Sequence, residues 1–238
     1  MAEWAQELVE YTKARLSDRE REALWDRGVS DDQIEAFQIG YLNKQLPAGL
    51  PPHFMNWCDD GEKMEDLLVF PLTTALGAVR GFQFRHVERE RSGYMDYFVD
   101  RREPCLFGLH QAVRAIWDRG AVFLVEGVFD LLPVQRSVPH VLATLTANVS
   151  PQTVRFLRRI VRQVWIGFDM DAPGRTGCRK FQNDHGSEFE VYVVEYPRIN
   201  GTFTKDPGDL WEAWGDAQMV PYLQSVLSDP VGFLNRTA

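Results

Sequence analysis

Cysteine is scarce in this chain of 238 residues: Cys58, Cys105 and Cys178 lie far apart, with no Cys-x-x-Cys spacing. Such a set offers neither a tetrahedral zinc site nor a disulfide scaffold. No zinc is expected, and a reducing cytoplasm suits the chain. No apolar run approaches the ~20 residues of a membrane-spanning helix. The N-terminal stretch Glu3-Trp4-Ala5-Gln6-Glu7-Leu8 is charged and amphipathic, unlike a signal peptide. Internal repeats and low-complexity segments are missing too. Basic charge is in deficit, with a net charge of -8, which by itself weighs against a nucleic-acid binder.

What is present is an ordinary globular mixture, 45% hydrophobic and 25% charged, long enough for one large domain or two small ones. The charges are unevenly spread. Residues 149–168 carry four arginines and no acid. Several acids stand instead at the ends of apolar runs, where they suggest chemistry more than solubility.

The spacing predicts helices within residues 3–37, with Ser17 and Asp18 preceding Arg19–Trp25 and Ser30 able to cap Asp31–Phe37, and a proline-containing loop over 45–62. Leu67–Leu72 and Ala78–Arg85 alternate as a β-hairpin does. From residue 121 strand and helix alternate. Strands are expected at 121–125, 138–145, 163–168 and 189–196, and helices at 128–136, 150–161 and 175–184. A last helix begins near Asp209. That rhythm implies an α/β fold, a parallel sheet with flanking helices, preceded by a smaller α+β subdomain. The expected divisions are 1–115, 116–215 and a helical tail, 216–238.

In an open parallel sheet, ligands bind beyond the carboxyl ends of the strands. Two strands here end in acids, Val125-Glu126-Gly127 and Phe168-Asp169-Met170-Asp171. Asp169 and Asp171 fall on one side of an extended chain. Asp130 follows Glu126 by about a helical turn. Asp206 and Asp209 follow the last strand. Carboxylates gathered at one edge repel and need a cation. Oxygen donors without histidine or cysteine point to Mg2+ or Mn2+. Gly127 and Gly174 permit close backbone approach. Any one of these aspartates taken singly is more often a helix cap or a loop residue; Asp209 can cap the last helix and Asp130 can be solvated. It is the joint pattern that points to function.

Val125-Glu126-Gly127-Val128-Phe129-Asp130, Phe168-Asp169-Met170-Asp171-Ala172-Pro173-Gly174-Arg175 and Lys205-Asp206-Pro207-Gly208-Asp209 resemble the acidic motifs of the Toprim domain as found in DnaG-type primases. Upstream, Arg27-Gly28-Val29-Ser30, Gly40-Tyr41, Val69-Phe70-Pro71-Leu72, Gly81-Phe82-Gln83-Phe84-Arg85 and Leu106-Phe107-Gly108-Leu109 resemble segments of the same primases, in the same order. The resemblance implies a Toprim, Rossmann-like sheet and RNA primer synthesis on a single-stranded DNA template from NTPs. It implies catalytic Glu126, Asp169 and Asp171, with Asp130, Asp206 and Asp209 joining them as metal ligands. Arg80, Arg85, Arg101, Arg102, Arg175 and Lys205 become the candidates for nucleotide or nucleic acid.

The sequence departs from the family in places. Asp96-Tyr97-Phe98-Val99 stands for Lys-Tyr-Leu-Asn, and Leu145-Thr146-Ala147-Asn148 for Leu-Gly-Thr-Ala. The family's zinc ribbon and long helicase-binding domain have no counterpart here. That suits a short, phage-like form in a bacterial cytoplasm, working with a replicative helicase or a separate zinc-domain protein. A Toprim nuclease cleaving DNA, or a non-catalytic Toprim DNA-binding module, are the alternatives. Arg155, Arg158, Arg159 and Arg162 fall at the spacing of one helical face, so a basic track is expected there, either solvated or in contact with the template or an acidic partner. The seven tryptophans are read as core or interface, and His110 and His140 as structural.

Overall fold

The computed structural model describes residues 3–58, 64–89, 91, 93–99 and 104–228. The chain divides into two compact units, Met1–Arg101 and Arg102–Ala238. No helix among the described residues is long and apolar enough to cross a membrane.

The first unit contains α1 (Glu3–Lys13), α2 (Asp18–Trp25), α3 (Asp31–Ala36), β1 (Gly40–Leu42), α4 (Pro52–Cys58), β2 (Leu67–Thr73), β3 (Val79–His86) and β4 (Tyr94–Phe98). The strands form an antiparallel sheet in the order β1-β2-β3-β4. Ser30 caps α3, accepting from the Gln33 N–H, while Gln33 reaches back to the Ser30 N–H, a capping box. The expected hairpin is β2–β3, with Phe70 opposite Gln83. Its strands are buried because α1 lays Ala5, Leu8 and Val9 against Leu67, Val69, Phe82 and Phe84. Pro71, which has no N–H for a ladder, lies beyond the reach of β1, which pairs only with Leu67–Val69. The expected loop over 45–62 is corrected in part: Phe54, fully buried in α4, meets Trp57 and Tyr97 edge or face. That apolar contact makes a helix of a stretch whose prolines suggest a loop.

The second unit contains α5 (Leu109–Arg119), β5 (Ala121–Val125), α6 (Val128–Gln135), β6 (Val141–Ala143), α7 (Pro151–Leu157), β7 (Gln163–Ile166), α8 (Ala172–His185), β8 (Glu190–Val193), β9 (Arg198–Ile199), β10 (Thr202–Phe203) and α9 (Pro207–Ser228). The main sheet runs β6-β5-β7-β8, and all its pairs are parallel. The α/β expectation therefore holds. Every residue of β5 is buried, as a strand covered on both faces must be. From β5 the chain passes to β6 on one side and then to β7 on the other. The switch point lies between β5 and β7, and their carboxyl ends define the crevice where a ligand fits.

Two elements are shorter than the sequence suggests. β6 spans three residues; it begins only after Pro139, and Leu145 takes a left-handed φ of 66°. α7 stops at Leu157, and residues 158–160 are a turn. Both Arg162 N and Gln163 N donate to the Gly120 carbonyl, at 2.8 and 3.2 Å. These bonds draw the chain into β7 before another helical turn can form. The four arginines therefore do not share one helical face. Nor are they free of acid: Arg158 Nη2 donates to Glu188 Oε1 at 2.6 Å.

Candidate active site

Glu126 and Asp169 leave the ends of β5 and β7 on either side of the switch point. Glu126 Oε1 accepts from the Asp169 N–H at 3.0 Å. Asp169 and Asp171 do share a side, because one ammonium reaches both. Lys205 Nζ lies 2.7 Å from Asp169 Oδ2 and 3.5 Å from Asp171 Oδ2. The Met170 N–H donates to the Lys205 carbonyl at 2.7 Å, which ties the two segments together through their backbones. Asp171 also caps α8, its Oδ1 accepting from Gly174 N at 3.0 Å. The modest reading of this residue, a helix cap, is thus true, and its second oxygen remains for a cation.

Asp130 and Asp206 complete the acidic edge. Asp130 Oδ2 accepts from Gly127 N at 2.8 Å, and its Oδ1 lies 3.4 Å from Gly208 N. Asp206 Oδ1 accepts from Asp209 N at 2.8 Å, so Asp206, not Asp209, is the capping side chain of α9. Asp209 is exposed and turns its Oδ2 to Lys205 N at 3.0 Å. Among the described residues, no three carboxylate, histidine or cysteine side chains stand together as a ready-made metal site. The donors are nonetheless all hard oxygens, and Lys205 marks where positive charge is accommodated. In kind, the set fits a divalent cation of the Mg2+ or Mn2+ type.

Crowded acids in partial burial resist ionisation. Burial, then the nearby Asp169 carboxylate, pushes Glu126 up to about 7. Asp206 rises to about 6, chiefly from burial. Asp130 is raised well above its ordinary value by burial, with Asp206 and Asp169 adding to it. A carboxyl whose folded value lies above its unfolded value stabilises the fold below the unfolded value, and that stability is lost as pH rises through the folded one. For Glu126 the window runs from 4.5 to about 7. At ~1.4 kcal/mol per unit, discounted for solvent, this is about 2 kcal/mol, or ~4–8 °C in a chain of this size. In the presence of a chelator, melting temperature should fall across that window, and Glu126→Gln, which keeps an acceptor for the Asp169 N–H, should flatten the fall. Parallel melts of both proteins at pH 4.5, 6 and 8 check this; curves that stay parallel contradict the assignment.

The basic candidates divide between the units. Arg175 and Lys205 stand in the acidic site. Arg175 Nε donates to the Met170 carbonyl at 2.9 Å, and its guanidinium lies 5.7 Å from the Phe203 ring centroid. Arg80 and Arg85 lie on β3 of the first unit, Arg85 with its guanidinium 5.7 Å from the Tyr94 ring centroid. Arg101 and Arg102 fall outside the described residues.

The sequence reading has no place for the hairpin β9–β10 that leads into Lys205, nor for Phe203 on it. A signal was available. Asn200-Gly201 takes φ values of 50° and 79°, the paired positive angles of a type I′ turn, for which Asn-Gly is the strongest sequence sign. Tyr196 carries no sequence sign of its role. Its buried hydroxyl donates to the Gly167 carbonyl at 2.7 Å, bracing the loop that carries Asp169.

Residues 123–210 match the Toprim-like protein family. The DNA primase of Pasteurella multocida is 24% identical over 254 aligned positions, covering 95% of this chain and 43% of the primase. The chain thus spans less than half the length of this relative. The Aquifex aeolicus primase structure, comprising zinc-binding and RNA polymerase domains, superimposes with a TM-score of 0.73 at 20% identity, covering 93% of this chain and 59% of that one. The DnaG primase catalytic domain bound to single-stranded DNA gives a TM-score of 0.72 at 18% identity, over 93% of this chain and 79% of that one. The chain is similar to the DnaG-type primases: it has the fold of their catalytic core, and the residues that match the Toprim-like family carry the acidic edge.

Proposed function

We propose that this chain is a DNA primase that joins ribonucleotides into short RNA primers on a single-stranded DNA template. The observation that carries the reading is the meeting of Glu126, Asp169 and Asp171 at the switch point, with one cation, Lys205, shared by the two aspartates at 2.7 and 3.5 Å. Support comes from the related primases and from the neighbour whose catalytic domain binds single-stranded DNA.

Asp169, Asp171 and Glu126, with Asp130, Asp206 and Asp209 around them, would hold Mg2+ or Mn2+. Such an ion, when bound, supplies charge stabilisation to a phosphoryl group in transfer. Glu126 has one oxygen fixed by the Asp169 N–H and a carboxyl pushed up to about 7, so its other oxygen suits accepting a proton from the attacking hydroxyl near neutral pH. Lys205, freed from the aspartate pair, becomes a point charge for a phosphate. Arg175 holds the 169–171 segment through Met170 and presents its remaining donors beside Phe203. Arg80, Arg85, Arg101 and Arg102 would contact template or nucleotide phosphates. The partners of this reading are NTPs, single-stranded DNA and either a replicative helicase or a separate zinc-domain protein, in the cytoplasm of a bacterial host.

The deciding assay incubates the chain with Mg2+ or Mn2+, labelled NTPs and single-stranded DNA, after a zinc-selective chelator. Short labelled RNA is the expected product. DNA fragments would establish a nuclease instead, and binding without either product a non-catalytic module.

A further inference from the structure

On the flank of the second unit, α7, α8 and the loop after β6 border a half-open cavity of about 520 Å3. It shares no lining residue with the acidic edge. α8 connects the two places: Asp171 caps it at the acidic end, and Lys180 lines the cavity nine residues on, ~13 Å along the helix axis. We propose that this cavity is a second, separate binding site, and that it takes a nucleoside polyphosphate.

Charge is the first argument. In a chain of net charge -8, the lining holds Arg155, Arg158 and Lys180 against the single carboxylate of Asp184. Lys180 Nζ donates to a neutral partner, Asn148 Oδ1, at 3.1 Å. Arg155 is exposed and makes no ion pair among the described residues. Arg158 is fixed by Glu188, whose Oε1 also lies 3.0 Å from His185 Nδ1; that carboxylate holds the guanidinium in place and offsets its charge, and it is not among the residues that line the cavity. Two cations held in no ion pair among the described residues and one anchored guanidinium, facing the one lining carboxylate of Asp184 from two helices, suit a short chain of phosphates.

Shape is the second argument. The volume lies within the ~300–1,000 Å3 of small-ligand sites, and an apolar floor of Val154 and Phe181 gives a flat base something to lie against. A continuous nucleic-acid strand fits less well. α7 ends at Leu157, and Arg159 and Arg162 are absent from the lining, so the cations form a cluster with no track leading away from it.

The test reads binding without the reaction, so it is independent of whether the chain makes primers. The full chain, kept in EDTA so that the repelling carboxylates have no metal to hold a triphosphate, is titrated calorimetrically with GTP and with inorganic tripolyphosphate. Hydrogen exchange is followed in parallel. The expected result is saturable 1:1 binding, protection of residues 147–158 and 177–185, and GTP at least ~3-fold tighter than tripolyphosphate. The double variant R155Q/K180Q, both positions exposed, should melt as the parent does and bind at least ~10-fold more weakly. D169N should bind as the parent does. Absence of saturable binding, unchanged affinity in R155Q/K180Q, or loss of binding in Lys205→Gln would each overturn the site. Equal affinity for GTP and tripolyphosphate would overturn the nucleoside part. Protection of the same segments by oligo(dT) but by neither small probe would overturn it in favour of strand contact.

Discussion

Asp169→Asn should abolish primer synthesis, by ~10³-fold or more, in a protein that still folds. The substitution is nearly isosteric and leaves the Asp169 backbone N–H, which Glu126 Oε1 accepts at 3.0 Å. What disappears is one negative charge at the point where Lys205 Nζ sits 2.7 Å away. The stability balance has two sides. The lost ion pair involves a lysine whose side chain is 45% exposed, so its loss costs at most ~1 kcal/mol. Against that, Glu126, Asp130 and Asp206 each lose a repelling neighbour. Melting temperature in chelator should therefore hold within a few degrees or rise. Asp171→Asn should behave alike for a different reason. Asparagine caps a helix as well as aspartate does, so the bond to Gly174 N survives while the charge is lost. Asp171→Ala removes both and should also lower the melting temperature. Primer yield on single-stranded DNA, measured beside thermal melts, tests the set; more than a tenth of parental synthesis in Asp169→Asn would remove the residue from the mechanism.

The difference between capping and charge shows how far the sequence could be read. The parallel sheet was legible because β5, β6 and β7 are largely buried runs separated by helices, and buried strands announce themselves by composition. The placement of Glu126, Asp169 and Asp171 followed, since strand ends at a switch point are fixed by topology. Helix ends were less legible. α7 stops at Leu157 because Arg162 and Gln163 bond to Gly120, a partner some forty residues earlier that no local pattern betrays. Asp206 was within reach: Asp206-Pro207 opens α9 as Ser150-Pro151 opens α7, cap followed by proline in the first turn. Lys205 was legible only as a basic residue in a motif. That it reaches both Asp169 and Asp171 depends on β8, β9 and β10 returning the chain to the sheet edge.

Gly174→Ala should cost ~100-fold or more in primer synthesis, although alanine is ordinarily the better helix residue. Inside α8 the exchange would normally gain ~1 kcal/mol of helix propensity. Here a Cβ would stand 2.1 Å from the Asp169 carbonyl oxygen and 2.7 Å from Glu126 Oε1, closer than either atom tolerates. The first is backbone, so relief requires α8 to move away from the end of β7. The second is the oxygen that accepts the Asp169 N–H. Either shift loosens the fixed relation of Glu126 to Asp169 and disturbs the Asp171 cap, whose donor is the Gly174 N–H itself. Overpacking of this kind costs ~1–3 kcal/mol, which outweighs the propensity gain and reverses the sign expected of an exposed helix. Misplacing reacting groups by even ~1 Å can cost ~100-fold. Thr176→Ala, two residues along the same helix and exposed, is the control: it makes the same kind of propensity change without the collision and should keep both stability and synthesis. A Gly174→Ala protein as active and as stable as the Thr176→Ala control would mean that the close seat of α8 against Glu126 plays no part in the reaction.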